Sequence, residues 1–582
     1  MAQGPGIKLT AFRRTGNRLG GLATGFGGKR AALVDLPGPR SLGSLKIGQD
    51  FLEGNCKFAG RLVMAPGISV WDIKAPDNAF RADMHGFGWL DHVLAVASPD
   101  AFQKAQVWVS EWISSFGNGH GLAWAPEVLA RRLMRWLHHY DELTRKLPSS
   151  EKMLLDRQIW RQAVYLQRRW KLASDAKGRI EALATLQLVR RVIVGLGDTG
   201  AAGGQALMRE LMRLTAGDGT LVSRNPEELL GLLNLINWAV ADMQATGVVV
   251  PSDLIERQKK MARVLRSLRH SDGALARFQG GGRGVMFGLD QALAGSGARG
   301  HEPDGGMGFV RMASGRTSLI VDAAPPAANG ASFNAHASTL AMELTSGQRP
   351  MIVSCGAGAP FGPEWRKAGR ATPSHSVLGL DGYSSSRLGR SREIMGQSRE
   401  PMETRPASVP VQMERHLDYL RIEASHDGYL RSHGMLQGRA LELTVDGSAV
   451  AGEEVLLSES TKARAKFDKI MDGLKGEGIP FTLRFHLHPD VATRLDPETG
   501  TVQLLLKSGE VWDFRHDGGF AFAMESSVYL DSEATRPTAT KQMVLSGRAT
   551  TYTTRIRWSL AKTPESLKGI RDLAALEADP ID

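Results

Sequence analysis

The spacing of apolar residues along the chain changes once, near residue 300. Before that point, apolar residues recur every three to four positions, the spacing that places them on one face of a helix. A clear example comprises Val107, Trp108, Trp112, Ile113 and Phe116. After that point they alternate, as in residues 317–321, which is typical of a half-buried strand. Helices grouped in one block and strands in another predict an α+β multidomain protein rather than an α/β fold.

Residues 79–300 are predicted to form a helical domain. Amphipathic stretches follow one another between glycine and proline breakers. The clearest of them cover residues 107–116, 128–137, 154–166, 178–196, 204–215, 226–246 and 252–268. No fixed-period repeat joins them, so a toroid or an irregular bundle of helical hairpins is favoured over a regular solenoid. Residues 1–78 are predicted to be an irregular leader that packs on this domain, since residues 1–50 are rich in Gly, Arg and Pro. Within this leader, residues 51–75 could form one or two short strands.

Residues 301–562 are predicted to form an antiparallel β-sandwich. Short alternating segments occur throughout this part at near-even spacing, and so many short strands favour two packed sheets. The predicted strands are 308–312, 317–321, 339–345, 350–354, 417–424, 440–445, 481–487, 501–507, 511–515 and 549–559. Residues 563–582 are predicted to be a helical tail.

The chain is basic, with 72 Lys and Arg against 61 Asp and Glu and a formal charge of +11. Such an excess favours an anionic partner such as an acidic polysaccharide. The basic residues are scattered over both halves, often at helical spacing, so solvated helix faces are the alternative to a polyanion-binding groove. No nucleic-acid-binding motif accompanies the charge, so nucleic acid is not expected as a partner and stands only as a third functional class.

Cysteine count and hydropathy exclude several classes of protein. The two cysteines, Cys56 and Cys355, form no CxxC pair, which excludes a disulfide framework and a thiolate zinc site. The N-terminal residues contain no apolar segment of the kind a signal peptide needs, and no stretch approaches the roughly 20 apolar residues of a membrane span. The sequence by itself therefore predicts a cytoplasmic protein without a membrane span.

Several segments resemble the heparinase II/III-like family. Residues 333–344, FNAHASTLAMEL, are similar to the family signature in which a histidine precedes an alternating strand. Residues 370–376, RATPSHS, are similar to the family's Arg-x-Thr-x-x-His motif, and residues 427–433 add to the resemblance. The resemblance implies an incomplete (α/α) toroid followed by an antiparallel β-sandwich. It also implies a polysaccharide lyase that acts on acidic glycans, glycosaminoglycans among them, in the cell envelope or outside the cell.

The reaction implied by the resemblance is β-elimination from a uronate sugar. It needs a group that neutralises the carboxylate, a base that takes the ring proton, and an acid that protonates the leaving oxygen. In the family, an Asn or Arg does the first job, and Tyr and His share the others. The catalytic candidates that the resemblance implies are His336, His375, Arg224 and Asn225, and the substrate-binding candidates are Arg179, Asn334, Tyr429 and His433.

Most of these candidates also have an ordinary structural interpretation. His336 and His375 are equally well explained as hydrogen-bonded histidines at the ends of strands. Arg179 has the spacing of a solvated helical arginine. Asn225 is a suitable N-cap for a helix that begins at Pro226.

The chain departs from the family pattern at positions that carry chemistry. Where the fuller pattern has His-x-His-x-Asp, this chain has Asn334, His336 and Ser338, so the histidine that is usually reactive is replaced. His336 and His375 are the residues that could hold a zinc ion, although two histidines fall short of the usual three protein ligands. Two functions follow. One is a lyase that cleaves an acidic, uronate-containing glycan between toroid and sandwich; the other is a catalytically degenerate protein of the same fold that binds glycans or serves the cell envelope.

Overall fold

The computed structural model describes residues 30–119, 121–196, 200–301, 305–496 and 501–564. Helices dominate up to residue 301, and strands dominate from residue 305 onwards. The predicted α+β order, a helical domain followed by an antiparallel β-sandwich, is confirmed. The predicted helical tail, 563–582, lies outside the described residues from position 565, and so do residues 1–29 of the predicted leader.

The helical half follows the predicted periodicity closely. Its described elements are α1 (Leu45–Leu52), β1 (Asn55–Phe58), β2 (Arg61–Met64), α2 (Asn78–His85), α3 (Trp89–Ala95), α4 (Pro99–Phe116), α5 (Pro126–His138), α6 (Tyr140–Thr144), α7 (Ser149–Arg169), α8 (Ala176–Val192), α9 (Gly200–Leu214), α10 (Pro226–Ala245), α11 (Ser252–Ser267) and α12 (Gly288–Ser296). Predicted helices 178–196, 204–215, 226–246 and 252–268 correspond to α8, α9, α10 and α11. Helix α8 packs against α5, α9 and α10.

From residue 30 onwards the leader contains α1, which was not predicted, and the hairpin β1–β2, which confirms the short strands predicted within residues 51–75. Buried aromatic rings anchor it. Phe51 lies 6.2 Å from Trp89 and Phe58 lies 4.9 Å from Phe80, measured between ring centroids. Burial of these rings outweighs the glycine and proline content that suggested irregular structure.

The described part of the second half contains two large antiparallel sheets, two small two-stranded sheets and three α-helices. Its elements are β3 (Gly305–Gly306), β4 (Phe309–Ser314), β5 (Thr317–Asp322), β6 (Met342–Ser346), β7 (Arg349–Val353), α13 (Pro363–Gly369), β8 (Leu378–Leu380), β9 (Arg387–Leu388), β10 (Arg392–Ile394), β11 (Gln397–Arg399), β12 (Met402–Thr404), β13 (Val411–Arg415), β14 (Tyr419–His426), α14 (Leu430–His433), β15 (Leu436–Thr444), β16 (Ala449–Leu457), α15 (Thr461–Gly473), β17 (Ile479–Leu487), β18 (Ala492–Leu495), β19 (Val502–Leu505), β20 (Val511–His516), β21 (Ala521–Tyr529), β22 (Thr538–Ala549) and β23 (Thr553–Lys562).

One sheet has the strand order β13-β14-β15-β16-β23-β20-β19-β18. The other has the order β21-β22-β17-β7-β6-β5-β4-β3, with β8 also paired to β17. Their facing sides form the sandwich core, where Phe485 of β17 contacts Trp558 of β23 at a centroid distance of 4.8 Å. The second sheet also contributes Phe309 and Ile320 to the core of the helical half, so the two halves share a buried seam.

Two parts of the sandwich differ from the prediction. Predicted strand 549–559 is not a single strand, since it covers the end of β22, a turn and the start of β23. The prediction missed the turn because residues 550–552 are Thr-Thr-Tyr and include neither Gly nor Pro. Helix α15 interrupts the strands and was not predicted, since it buries only Ala463 and Phe467. In the described part of the chain, none of the helices combines the length and the apolar character needed to cross a bilayer.

Candidate functional site

Arg224 lies at the seam between the two halves and is used structurally. The residue has a positive φ of 58° just before α10, and its side chain turns towards the second sheet. Its guanidinium donates to the backbone carbonyls of residues 307–308 and 324–325 at 2.8 to 3.0 Å. It also donates to Asp322 Oδ1 at 2.5 Å, and Asp322 is fully buried. With all of these contacts made, Arg224 joins the halves rather than facing a substrate.

Asn225 has the structural role that its position suggested. Its Oδ1 accepts the N–H of Glu228 at 3.0 Å, so it caps the N-terminus of α10, with Pro226 in the first turn. The loop 280–282, three glycines in a row, passes directly over this cap. A Cβ atom at Gly281 would lie 2.8 Å from Asn225 Oδ1, so a larger residue there would displace the cap.

His336 and His375 lie together but are sealed from solvent. Their ring centroids are 5.3 Å apart, and they are 4% and 0% exposed. His375 Nδ1 pairs with Ser354 Oγ at 3.0 Å, whereas His375 Nε2 and His336 Nδ1 have no hydrogen-bond partner among the residues that the structure describes. Burial lowers the pKa of His375 to about 3, with a contribution from His486, and it also lowers the pKa of His336. Both imidazoles are therefore neutral.

The glycine loop closes over this pair. A Cβ atom at Gly280 would lie 2.9 Å from the Asn334 carbonyl oxygen and 3.6 Å from His336 Nε2. Asn334 itself is exposed on the outer side of the loop. Asn334, at the position that is usually the reactive histidine in the family, thus lies at the surface, whereas His336 is buried.

The residues present do not fit a zinc site. His336 and His375 have Ser354 beside them but no third nitrogen, thiolate or carboxylate donor in position. Within the described ranges, no group of three or more His, Cys, Asp or Glu side chains is arranged to hold a metal ion. Cys355 and Glu343, the remaining donors near the motif, are used elsewhere. Cys355 Sγ lies 3.5 Å from His486 Nδ1, and Glu343 accepts backbone N–H groups.

The other candidate residues lie apart from this pair. Tyr429 is fully buried in the sandwich core, and burial raises the pKa of its phenol. His433 is buried on α14, and its ring contacts that of Tyr383 at 4.5 Å. Arg179 pairs with Glu210 at 2.8 Å on the helical half. The predicted candidates therefore do not converge on one cleft.

A cleft of about 500 Å³ opens in the helical half instead. Its apolar lining includes Phe51, Phe58 and the partly exposed Trp238. Amide side chains of Asn234 and Gln291 also line it. A mixture of aromatic faces and amide groups is what a sugar-binding site requires, since sugar rings present both C–H faces and hydroxyl groups.

Charges in this cleft balance. Its charged lining residues are the acids Asp83, Asp91, Glu181 and Glu227 and the bases Lys57, Arg131, Arg135 and Lys177. Most of these groups already have protein partners. Arg131 pairs with Glu181 at 3.1 Å, and Arg135 pairs with Asp91 at 3.3 Å. The cleft is thus not the predominantly basic groove that the net charge allowed.

Two lining residues have unusual environments. His92 Nδ1 accepts the backbone N–H of Ser44 at 2.9 Å, so the proton of its neutral ring lies on Nε2 and is available as a donor. Burial lowers the pKa of His92 and raises that of Glu227, whose Oε2 accepts the Gly282 N–H at 2.8 Å. No tyrosine lines the cleft in the described part of the chain. No sequence pattern indicated these lining residues, because Trp238 has ordinary core spacing and His92 belongs to no motif.

Comparison with known proteins agrees with the architecture. The family model described as "Heparinase II/III-like, C-terminal" matches residues 303–559. FtsZ-localized protein C of Caulobacter vibrioides is 26% identical over 527 residues, which is 88% of each chain. The crystal structure of a heparinase III matches with a TM-score of 0.62 at 13% identity, covering 96% of this chain and 92% of that one. The heparan sulfate lyase HepC of Pedobacter heparinus matches with a TM-score of 0.52 at 13% identity, covering 95% and 88%.

At such identities the solved structures establish a shared fold, an α/α toroid followed by a β-sandwich. The match to the family's C-terminal domain coincides with the two sheets described above. Residues 303–559 therefore match the C-terminal domain of the heparinase II/III-like family, and the chain as a whole has the fold of the solved heparinases.

Proposed function

We propose that this protein binds a glycan without cleaving it and that it works at the bacterial division site. The observation that carries the first part is the burial of both surviving imidazoles, with 4% of His336 and 0% of His375 exposed. A catalytic base must come within hydrogen-bond distance of the proton that it removes. A sealed imidazole cannot reach a sugar ring, and loss of the lyase chemistry leaves binding as the function of the fold.

The cleft of the helical half supports binding. Trp238 offers an aromatic face, Asn234 and Gln291 offer amide groups, and His92 offers an N–H donor. These are the groups that recognise sugar rings and hydroxyls. Because acids and bases in the cleft balance, a sparsely charged glycan suits it at least as well as the acidic polysaccharide that the resemblance implies.

The second part of the proposal rests on the Caulobacter relative. That protein is named for its localisation with FtsZ, and the two chains align over 88% of each length. The alignment covers both halves, so the same assignment is proposed for this chain as a whole. A fluorescent fusion that forms a midcell band with FtsZ would support it. A fusion that stays diffuse or at the cell periphery would contradict it, and cell fractionation would separate the cytoplasmic and envelope locations predicted above.

β-Elimination on an acidic, uronate-containing glycan is the second candidate function, and one observation favours it. Glu227 lines the cleft, and burial raises the pKa of its carboxyl group. A carboxyl group that keeps its proton can act as a general acid. The cleft offers no tyrosine among the described residues to accompany it, so binding remains the better-supported function.

Binding is tested by titrating the full chain with two sets of oligosaccharides, one of uronate polymers and one of uncharged N-acetylated sugars. We expect Trp238→Ala to weaken binding about tenfold through loss of a stacking face. The matched control is Trp170→Ala, because Trp170 does not line the cleft. Equal binding by wild type and Trp238→Ala would overturn the placement of the glycan.

Catalysis is tested on the same samples by following the ultraviolet absorbance of unsaturated uronate products. Absence of product across the panel, together with unchanged binding in the double variant His336→Ala/His375→Ala, is the expected result. Product formation that Glu227→Gln abolishes would instead establish the lyase function.

A further inference from the structure

A second pocket, of about 550 Å³, lies at the edge of the seam between the two halves. The turn between β1 and β2 forms one wall, α13 forms another, and the hairpin of β10 and β11 closes it. Hydrogen bonds with the helical half hold the hairpin in place, among them one from Gln397 Nε2 to Asp77 Oδ2 at 3.2 Å. The Ala79 N–H donates to the Met395 carbonyl at 3.1 Å, and Gln397 Nε2 donates to the Ala59 carbonyl at 3.1 Å. The pocket is thus a built feature of the folded chain.

Three guanidinium groups, those of Arg61, Arg366 and Arg399, line this pocket together with one carboxylate, Glu393. Arg370 lies behind them, 1% exposed and hydrogen-bonded to carbonyl groups. Four arginines are therefore gathered from segments more than 300 positions apart. None of these four arginines lines the cleft of the helical half.

Each of the three lining arginines keeps N–H groups without a hydrogen-bond acceptor among the described residues. Arg61 makes no hydrogen bond among the described residues, and its Nε lies 3.7 Å from Asp77. Arg399 donates from Nη2 to the neutral amide oxygen of Gln397 at 2.5 Å, and its other N–H groups have no acceptor in the described ranges. Arg366 pairs with Glu400 at 3.0 Å and donates to the Phe333 carbonyl, but its buried Nε has no hydrogen-bond partner within the described part of the chain.

Like charges in this arrangement repel each other. Burial, followed by the charge of Arg366, lowers the pKa of Arg370 to about 10, and the same two causes lower the pKa of Arg399. An anion bound between the guanidinium groups would relieve both effects, since it replaces the lost hydration and offsets the repulsion. The pocket is therefore arranged for a ligand whose charge is negative.

The ligand chemistry follows from the donors. Planar guanidinium forks bind phosphate oxygens in pairs, and a phosphate ester offers three strong acceptor oxygens and a charge of about −1.5 to −2. The hydroxyl groups of Ser391 and Ser398, which contact each other at the rim, add neutral donors. The volume exceeds that of an inorganic ion and falls in the range of sites for small organic ligands.

We propose that this arginine pocket, lined by Arg61, Arg366 and Arg399, binds the phosphate or diphosphate group of an organic ligand. Because Arg61 belongs to the helical half and the other two arginines belong to the sandwich half, the bound phosphate bridges the two halves and holds the β10–β11 hairpin against α2. The site is separate from the glycan cleft, and the proposal stands without the proposed function.

The test is calorimetric titration of the full chain with pyrophosphate, with sodium sulfate and sodium chloride at matched ionic strength as references. We expect pyrophosphate to bind more tightly than sulfate and to raise the melting temperature. Arg61→Gln and Arg399→Gln should each weaken its binding tenfold or more, the usual cost of a lost charged hydrogen bond. Arg392→Gln should bind as wild type does, since Arg392 lies on the same hairpin outside the pocket lining.

Two further arms identify the source of the phosphate. Uridine diphosphate represents a soluble ester, and vesicles of phosphatidylcholine with and without phosphatidic acid represent a lipid headgroup. If uridine diphosphate or the phosphatidic acid vesicles bind, and if pyrophosphate competes with that binding, the result supports the site. The proposal is overturned if pyrophosphate binds no better than sulfate or chloride. It is equally overturned if Arg399→Gln leaves pyrophosphate binding unchanged, or if the variants lose uronate oligosaccharide binding but keep pyrophosphate binding.

Discussion

Replacing Arg224 by Ala tests whether this residue acts in chemistry or holds the fold together. The substitution removes the partner of the fully buried Asp322 carboxylate and the donors to four backbone carbonyls. Breaking a buried ion pair on one side costs about 3–5 kcal/mol, because the remaining charge stays buried without an opposite charge beside it. We therefore expect the free energy of unfolding to fall by about that amount, with glycan binding unchanged in the folded protein.

The free energy of unfolding is measured by urea denaturation, and unfolding is monitored with two spectroscopic signals. Nine of the 12 tryptophans precede residue 300, so fluorescence reports mainly on the helical half, while far-ultraviolet circular dichroism reports on both halves. Since Arg224 joins the halves, its loss should also separate the two transitions. The control is Arg269→Ala, which removes an exposed pair with Asp290 at 2.9 Å and should cost about 0–1 kcal/mol. If Arg224→Ala costs no more than this control but abolishes binding or turnover, the structural assignment is wrong.

Acid should destabilise the protein through its buried histidines. Burial holds the pKa of His375 at about 3 and that of His486 at about 4, against an ordinary 6.5. The stability that these neutral rings contribute is therefore complete above pH 6.5 and is lost as the pH falls towards those values. Each of these two histidines should lower the free energy of unfolding by about 2 kcal/mol at about pH 5. Melting curves in which His375→Gln has the same pH dependence as wild type would contradict this. Gly60→Ala should destabilise the seam by more than about 2 kcal/mol, because its φ is 77° and a Cβ would lie 1.9 Å from the Ala359 oxygen. Gly38→Ala, with a φ of 70° and open space around it, should cost only about 1 kcal/mol in the same urea assay.

The architecture was predictable because it depends on local patterns. Helix α10 was expected over 226–246 and spans Pro226–Ala245, since its apolar spacing and its Asn225 cap are both visible in the sequence. Errors arose where the local signal was missing. The turn at 550–552 has no Gly or Pro, and α15 has too few buried residues to show a helical period.

The candidate site was less predictable because it depends on contacts between distant segments. Whether His336 faces solvent is decided by the glycine loop 280–282, more than 50 positions earlier. Likewise, the arginine pocket joins Arg61 to Arg399 across 338 positions. The spacing of residues within one segment predicts neither the burial of His336 nor the arginine pocket. The family resemblance therefore identified candidate residues but not the residues that surround them.

The polar residues of the lyase-like segment have a structural use that explains their presence without catalysis. Gln279 accepts the His336 N–H at 3.0 Å and donates to Asp322 at 2.7 Å, and Ser338 donates to the same carboxylate at 2.6 Å. Together with Arg224, these residues form a buried hydrogen-bonded network that fixes one half of the molecule against the other. Such networks are costly to break once desolvated, so each member is held by its partners whether or not a substrate is ever turned over. The polar side chains of this lyase-like motif are therefore explained by the buried network at the seam between the two halves, without a catalytic role.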